Sequence, residues 1–177
     1  MPIHLYQSQK VKRYIGQSVY MDMPWKEDKV DPITLWYVDV FFISRERYLV
    51  FANPLTKLTF FIFRYSKKTH PDLMAAFQKG LEQTLTAVNI NPDQYLMNCD
   101  VLVPFLSSNR SASAHLSRIK EEYKWMLDQN SHGVSAPADE AFYNKLVAKD
   151  ITTYGGKDYD RPMKRFYHEL LVRRWCD

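Results

Sequence analysis

The stretch from Ser107 to Ser111 combines residue types that bind anions. It follows the apolar run VLVPFL and leads into a helical pattern. Free backbone N–H groups at a helix start, with hydroxyls, an amide and a guanidinium beside them, suit a phosphate or a carboxylate. The same residues suit a structural role, in which a serine caps the helix and its neighbours fasten the loop. The candidate anion- or partner-binding residues here are Ser108, Asn109, Arg110 and Ser111.

Two residues of the strand pattern that starts at Leu35 are further candidates. Asp39 places a carboxylate in an otherwise apolar strand, so it must be exposed, ion-paired or shifted in pKa. Pairing with Arg47 or Arg64 would make it structural. Trp36 could form a platform for a ligand or partner, although a core position is the default for a tryptophan at this spacing.

The chain lacks the motifs that identify most enzymes and metal proteins. Its five histidines show no spacing that would place two metal ligands on one helical face, and Cys99 has no neighbouring base in sequence. No nucleophile elbow, phosphate-binding loop or dinucleotide fingerprint is present. We therefore expect no metal and no cofactor, and the absent motifs favour a non-enzymatic role without deciding the matter.

A basic helix face near the carboxyl end is a candidate surface for nucleic-acid phosphates. Glu169 and Asp177 dilute its charge, and a solvated helix face is the default interpretation. The basic residues are Lys164, Arg165, Arg173 and Arg174.

Composition limits the function classes. The chain has 177 residues, 46% of them hydrophobic, with 24 Lys and Arg against 20 Asp and Glu. This length fits one domain with a small addition, and the slight basic excess does not require nucleic acid. Two cysteines, no export signal and no apolar run of bilayer length predict a cytoplasmic protein without a membrane partner.

The elements that must position these residues form an α+β pattern. Aromatic and β-branched residues from Leu35 to Tyr65, cut by two turn-like clusters, predict a three-strand antiparallel meander. The face formed by the even-numbered residues of its first strand should pack against the core. Residues 4–7 and 100–105 could add edge strands. Helical periodicity follows at Leu73 to Val88, from Ser111, around Phe142 and from Pro162.

These patterns predict an antiparallel meander sheet with helices packed mainly on one face. Residues 132–137 and the segment YGGKDYD at 154–160 contain turn formers and are predicted as loops. We place a boundary at the first of them. The expected organisation is an α+β domain over 1–130 and a C-terminal helical extension over 131–177.

Short motifs suggest a relationship. A short N-terminal strand and helix, the strand start Trp36-Tyr37-x-Asp39, the turn Asn53-x-x-Thr56 and the late Asn-Arg-Ser at 109–111 occur in this order. Over about residues 1–130 the chain resembles a family of uncharacterised bacterial domains of unknown function. The resemblance implies an α+β fold and a bacterial or phage cytosolic origin, and it implies no reaction.

Three functions remain open at this stage. Abundant aromatics and missing catalytic motifs favour a binding or regulatory module that acts through protein contacts, including self-association. The helix start near Arg110 favours a binder of a small anionic ligand, or an enzyme acting on one. The basic first third or the last helix would serve a nucleic-acid binder.

Overall fold

The computed structural model describes residues 1–15, 30–99, 101–106, 110–131, 140–154 and 156–176. Within these residues five strands form one mixed sheet, in the order β4-β3-β2-β1-β5. Helices lie on both faces of this sheet. The fold is α+β, as the sequence predicts.

The antiparallel meander is confirmed. It consists of β2 (Leu35–Ile43), β3 (Glu46–Ala52) and β4 (Thr59–Ile62). Val40 pairs with Leu49, and Phe51 pairs with Phe60. The even positions of β2 enter the larger core, as expected, whereas its apolar odd positions enter a second core on the opposite face.

The N-terminal strand is not an edge strand. Strand β1 (Pro2–Gln7) lies between β2 and β5 (Val101–Leu106) and runs parallel to both. The prediction was wrong for β1 and correct for β5, which does lie at the edge. Tyr6 stacks on the rings of Tyr37 and Phe105, so the parallel strands are joined by side-chain contacts as well as by backbone bonds.

Most of the helical side chains in the larger core come from α1 (Gln9–Ile15), α2 (Leu73–Ala87), α3 (Asp93–Leu96) and α6 (Pro162–Val172). Asp72 caps α2 by accepting a hydrogen bond from the Met74 amide at 2.9 Å. Gly80 lets α2 approach the sheet closely, because a Cβ there would lie 2.7 Å from Cε2 of Phe60.

The opposite face is covered by α4 (Arg110–Ser131), whose buried stripe has the predicted helical spacing. The stripe consists of Ala112, Leu116, Ile119, Tyr123 and Leu127. Helix α5 (Glu140–Lys149) lies along the free edge of β4. The face that a one-sided sheet would leave open is therefore closed by helix.

The segment after α5 contains strands as well as a turn. Thr152–Tyr154 (β6) and Asp158–Asp160 (β7) form a short antiparallel hairpin, where the sequence pattern predicts only a loop. Both C-terminal helices contribute buried side chains to the cores around the sheet, such as Tyr143 and Phe166. The division of the chain at residue 130 stays a prediction.

Candidate functional site

A cavity of about 120 Å³ lies where α4 meets the β3–β4 turn, the end of α5 and β6. We call it the Lys57 cavity. A water molecule needs roughly 10–15 Å³ of cavity, so a ligand of several non-hydrogen atoms fits. Its apolar wall consists of Ile119, Val147, Ile151 and Pro162. Its polar wall consists of Lys57, Thr59, His115, Arg118, Glu122, Asp150 and Thr152.

The Asn53-x-x-Thr56 turn is the device that positions Lys57. The buried Asn53 amide donates to the carbonyl oxygens of Ile33 at 3.0 Å and Leu35 at 2.8 Å. Its oxygen accepts from the Thr56 amide at 3.0 Å and the Thr56 hydroxyl at 3.1 Å. These bonds over-determine the turn, which explains why Lys57 is held with a φ of 61° in the left-handed region.

Lys57 is half-buried and has no anionic partner within the part of the chain that the structure describes. Burial, and then the charge of Arg118, lowers the pKa of the Lys57 ammonium. A partly desolvated cation without a counter-ion is unfavourable unless something else supplies the negative charge.

His115 lies on the neighbouring wall, and its tautomer follows from a short chain of hydrogen bonds. The Thr59 hydroxyl donates to the carbonyl oxygen of Lys57 at 2.9 Å. A hydroxyl has one proton, so the same oxygen accepts from Nε2–H of His115 at 3.3 Å. When the imidazole is neutral, its proton is therefore on Nε2 and its lone pair is on Nδ1.

The electrostatic field around His115 is positive. Burial lowers the pKa of His115 to about 3, and the charges of Lys57 and Arg118 add to the effect of burial. The cations at this end therefore act together on His115. An anion entering here would be stabilised by Lys57 and Arg118 together.

Carboxylates lie at the more exposed end. Arg118 donates to Glu122 at 3.3 Å and to the Thr152 hydroxyl at 3.2 Å. The exposed Asp150 accepts at 2.5 Å from the Tyr123 hydroxyl, and burial and then this contact raise the pKa of Tyr123. The polar residues thus change from cationic to anionic across the cavity.

The residues singled out from the sequence do not converge on this cavity. Trp36 is fully buried, and its indole N–H donates to the Tyr95 hydroxyl at 3.0 Å. Asp39 lies between β2 and α4, where it pairs with Lys120. Its partner is therefore neither Arg47 nor Arg64.

Asp39 has further partners. Its carboxylate accepts from the Ser8 hydroxyl at 2.8 Å and from the Val40 amide at 2.8 Å. Ser8 in turn accepts from the Val11 amide at the start of α1. Asp39 therefore joins β2, α1 and α4, which is a structural arrangement.

Two of the four basic residues near the carboxyl end have intramolecular partners. Arg173 forms a bidentate pair with Asp31, at 2.6 and 2.8 Å, and also pairs with Glu169. Arg165 pairs with Asp158 on β7 and lies 3.7 Å from the ring centre of Tyr154. Lys164 and Arg174 are exposed.

The candidate anion loop can be placed only in part. Ser108 and Asn109 lie outside the described residues. Arg110 and Ser111 begin α4, and their side chains also lie outside the described part. The loop stays a prediction.

Lys57, His115 and Arg118 were not predicted from the sequence as site residues. The signal that was available is the spacing of His115, Arg118 and Glu122 at i, i+3 and i+7, which places all three on one face of α4. The position of Lys57 directly after the Asn53-x-x-Thr56 turn was the second signal.

A comparison with known families identifies a domain family that covers most of the chain. The domain family DUF6933, a domain of unknown function, matches residues 5–165. The chain belongs to this family. The match includes both faces of the sheet and α5, so it continues beyond the 1–130 range of the resemblance found in the sequence. A comparison with curated proteins found no significant match.

Neither a membrane-spanning helix nor a metal-binding group is found among the described residues of this family member. None of its described helices is long and apolar enough to span a membrane. Among the same residues, His, Cys, Asp and Glu side chains form no group of three that could hold a metal ion.

Proposed function

We propose that the protein is a binding module for a small anionic ligand, held in the Lys57 cavity by Lys57 and Arg118. The observation that carries this proposal is the half-buried Lys57, fixed by a rigid turn and without a described counter-ion. Carboxylate and phosphate oxygens are the groups that such cations bind. The small cavity volume limits the ligand to a few non-hydrogen atoms around the anionic group.

The proposed site lies on the same helix as the anion site predicted from the sequence, but further from its start. His115 lies five residues after Arg110, or about 7.5 Å along α4. The residues that we expect to contact the anion are Lys57, Arg118 and Thr152. His115 and Thr59 form the neutral floor of the site.

The test is calorimetric titration of inorganic phosphate and acetate into the full chain, with the Lys57→Met variant and a Lys67→Met control. Lys67 is an exposed lysine outside the cavity. We expect saturable binding to the natural chain and to the control, and about tenfold weaker binding to Lys57→Met. Phosphate should also raise the pKa of His115 in a nuclear magnetic resonance titration. Equal affinities for the two variants would overturn the proposal.

A second candidate function is the protein contact favoured by the composition. Trp125 on α4 is 67% exposed and Phe142 on α5 is 58% exposed, and large exposed aromatics are typical of interface anchors. Light scattering with size exclusion tests self-association in the full chain. Trp125→Ser or Phe142→Ser should convert an oligomer to a monomer, while Met97→Ser beside α3 should not. A natural chain that is monomeric at high concentration would contradict self-association.

A further inference from the structure

The charged side chains of the Lys57 cavity do not all have oppositely charged partners among the residues that the structure describes. Arg118 and Glu122 pair with each other. Lys57 has no anionic partner among the described residues, and Asp150 has no cationic one, since its described donor is the neutral Tyr123 hydroxyl. Both line the same cavity, yet they are not ion-paired with each other. Among the described residues, the cavity therefore has one positive charge (Lys57) and one negative charge (Asp150) without an oppositely charged partner.

The two unmatched charges lie at different depths. Lys57 is half-buried beside His115, whereas Asp150 is exposed at the end of α5. On α4, His115 near Lys57 and the exposed Glu122 are seven residues apart, or about 10 Å. A ligand that reached both charges would place its anionic group inward and its other end toward the opening.

We propose that the ligand of the Lys57 cavity is a small zwitterion, with an anionic group on Lys57 and an ammonium group on Asp150. This inference rests on the proposed function and narrows its substrate class. A simple anion satisfies Lys57 but brings a second negative charge toward Asp150, which costs binding free energy. An ammonium group on the same molecule removes that repulsion and adds a charge-assisted hydrogen bond.

Tyr123 supports the role of Asp150 in this arrangement. Its hydroxyl donates to Oδ2 of Asp150, which fixes the carboxylate at the cavity wall. Oδ1 receives no hydrogen bond from any residue that the structure describes. A carboxylate held by one oxygen, with the other available, is suited to bind an ammonium donor.

Calorimetry with matched ligands on the full chain tests this inference. Phosphoethanolamine is compared with ethyl phosphate, and β-alanine with propionate, so each pair differs by the ammonium group. We expect the zwitterion of at least one pair to bind about tenfold more tightly than its partner, which is about 1.4 kcal/mol. The pair that shows the preference identifies the anionic group as phosphate or carboxylate.

The variants Asp150→Asn and Glu121→Gln complete the design. Asp150→Asn should abolish the preference and leave the simple anion bound as before or more tightly. Glu121→Gln, an exposed acid on α4 outside the cavity, should leave the preference unchanged.

The outcomes separate the two proposals. Binding of the simple anions without a preference for zwitterions overturns this inference and leaves the proposed function standing, as does a preference that survives in Asp150→Asn. Failure of all four ligands and of inorganic phosphate to bind overturns both. If Asp150→Asn does not fold, the matched pairs on the natural chain still decide the inference.

Discussion

His115 is a neutral imidazole in a positive field, and this makes stability depend on pH. Its pKa is lowered to about 3 by burial, then by Lys57 and Arg118, while the unfolded chain has a pKa near 6.5. Between these values the unfolded state binds more protons than the folded state. The contribution of His115 to the free energy of unfolding is therefore complete above about pH 6.5 and decreases as the pH falls toward 3.

Replacing His115 with Gln should remove most of this dependence. For the natural chain we expect the free energy of unfolding to fall by about 2 kcal/mol from His115 between pH 7 and pH 5. Urea unfolding at the two pH values measures the difference. His4 and His70 also have lowered pKa values, so the variant should retain a smaller slope of the same sign. A slope identical to that of the natural chain would show that His115 titrates normally.

Variants of the Asp39–Lys120 pair test whether Asp39 stabilises the fold or binds a ligand. Asp39 accepts hydrogen bonds from Ser8 and Val40 as well as from Lys120, so Asp39→Ala removes three partners at once. We expect a loss of about 3 kcal/mol for Asp39→Ala. For Lys120→Met we expect about 1 kcal/mol, because the carboxylate keeps its other two donors. Urea unfolding measures both.

Lys124→Met, an exposed lysine on the same helix, serves as the control and should change stability by less than about 0.5 kcal/mol. A stable Asp39→Ala variant that loses phosphate binding would contradict the structural role. That result would support the ligand-binding role that the position of Asp39 in an apolar strand suggests.

At the scale of elements, α5 closes the exposed edge of the sheet with side chains instead of a further strand. Asn144 is buried, and its amide donates to the carbonyl oxygen of Phe61 at 3.0 Å while its oxygen accepts from the Phe61 amide at 2.7 Å. Glu140 accepts from the Phe63 amide at 2.6 Å. An apolar edge strand with free backbone groups would invite association with other chains.

The Asn144→Ala variant tests this edge closure. It leaves both backbone groups of Phe61 buried without partners, and we expect a loss of about 3 kcal/mol. Hydrogen exchange at the Phe61 amide should accelerate beyond the effect of lower global stability. Lys145→Ala, an exposed neighbour on α5, should change neither quantity. Unchanged protection at Phe61 in Asn144→Ala would show that α5 does not close the edge.

The meander and the long helices could be predicted because their signals are local. Alternating apolar residues identify β2, and the spacing of Leu73, Phe77 and Leu81 identifies α2. The position of β1 could not be predicted in this way. Its parallel partners begin 33 and 99 residues after its own start at Pro2, and nothing within the strand encodes pairing over such distances.

The Lys57 cavity was missed for a similar reason. Lys57, His115 and Asp150 come from three separate parts of the chain and meet only after α4 and α5 are packed. Each residue alone has an ordinary structural interpretation, since a lysine in a turn or a histidine on an amphipathic helix is common. The free charge on Lys57 becomes visible only when its surroundings are known.

At the scale of the whole molecule, charge is distributed unevenly. Residues 1–70 contain 11 Lys and Arg against 6 Asp and Glu. Four of these cations, Arg45, Arg47, Arg64 and Lys67, line an open groove at the end of the β2–β3 hairpin. Glu46, in the same groove, pairs with Arg64 at 2.8 Å and offsets part of the charge. We call this surface the hairpin groove.

The nucleic-acid hypothesis makes its clearest prediction at the hairpin groove, because two of the four basic residues of α6 and its end are already ion-paired. If single-stranded RNA binds in low salt, the double variant Arg45→Ala, Lys67→Ala should weaken binding. It should also reduce the slope of log affinity against log salt concentration by about 1.4, since each phosphate contact contributes about 0.7. The matched control, Lys164→Ala with Arg174→Ala, should leave the slope unchanged. Electrophoretic retardation across a salt series measures both. A loss confined to the control variant would assign binding to α6, and no retardation in low salt would dismiss nucleic acid as a partner.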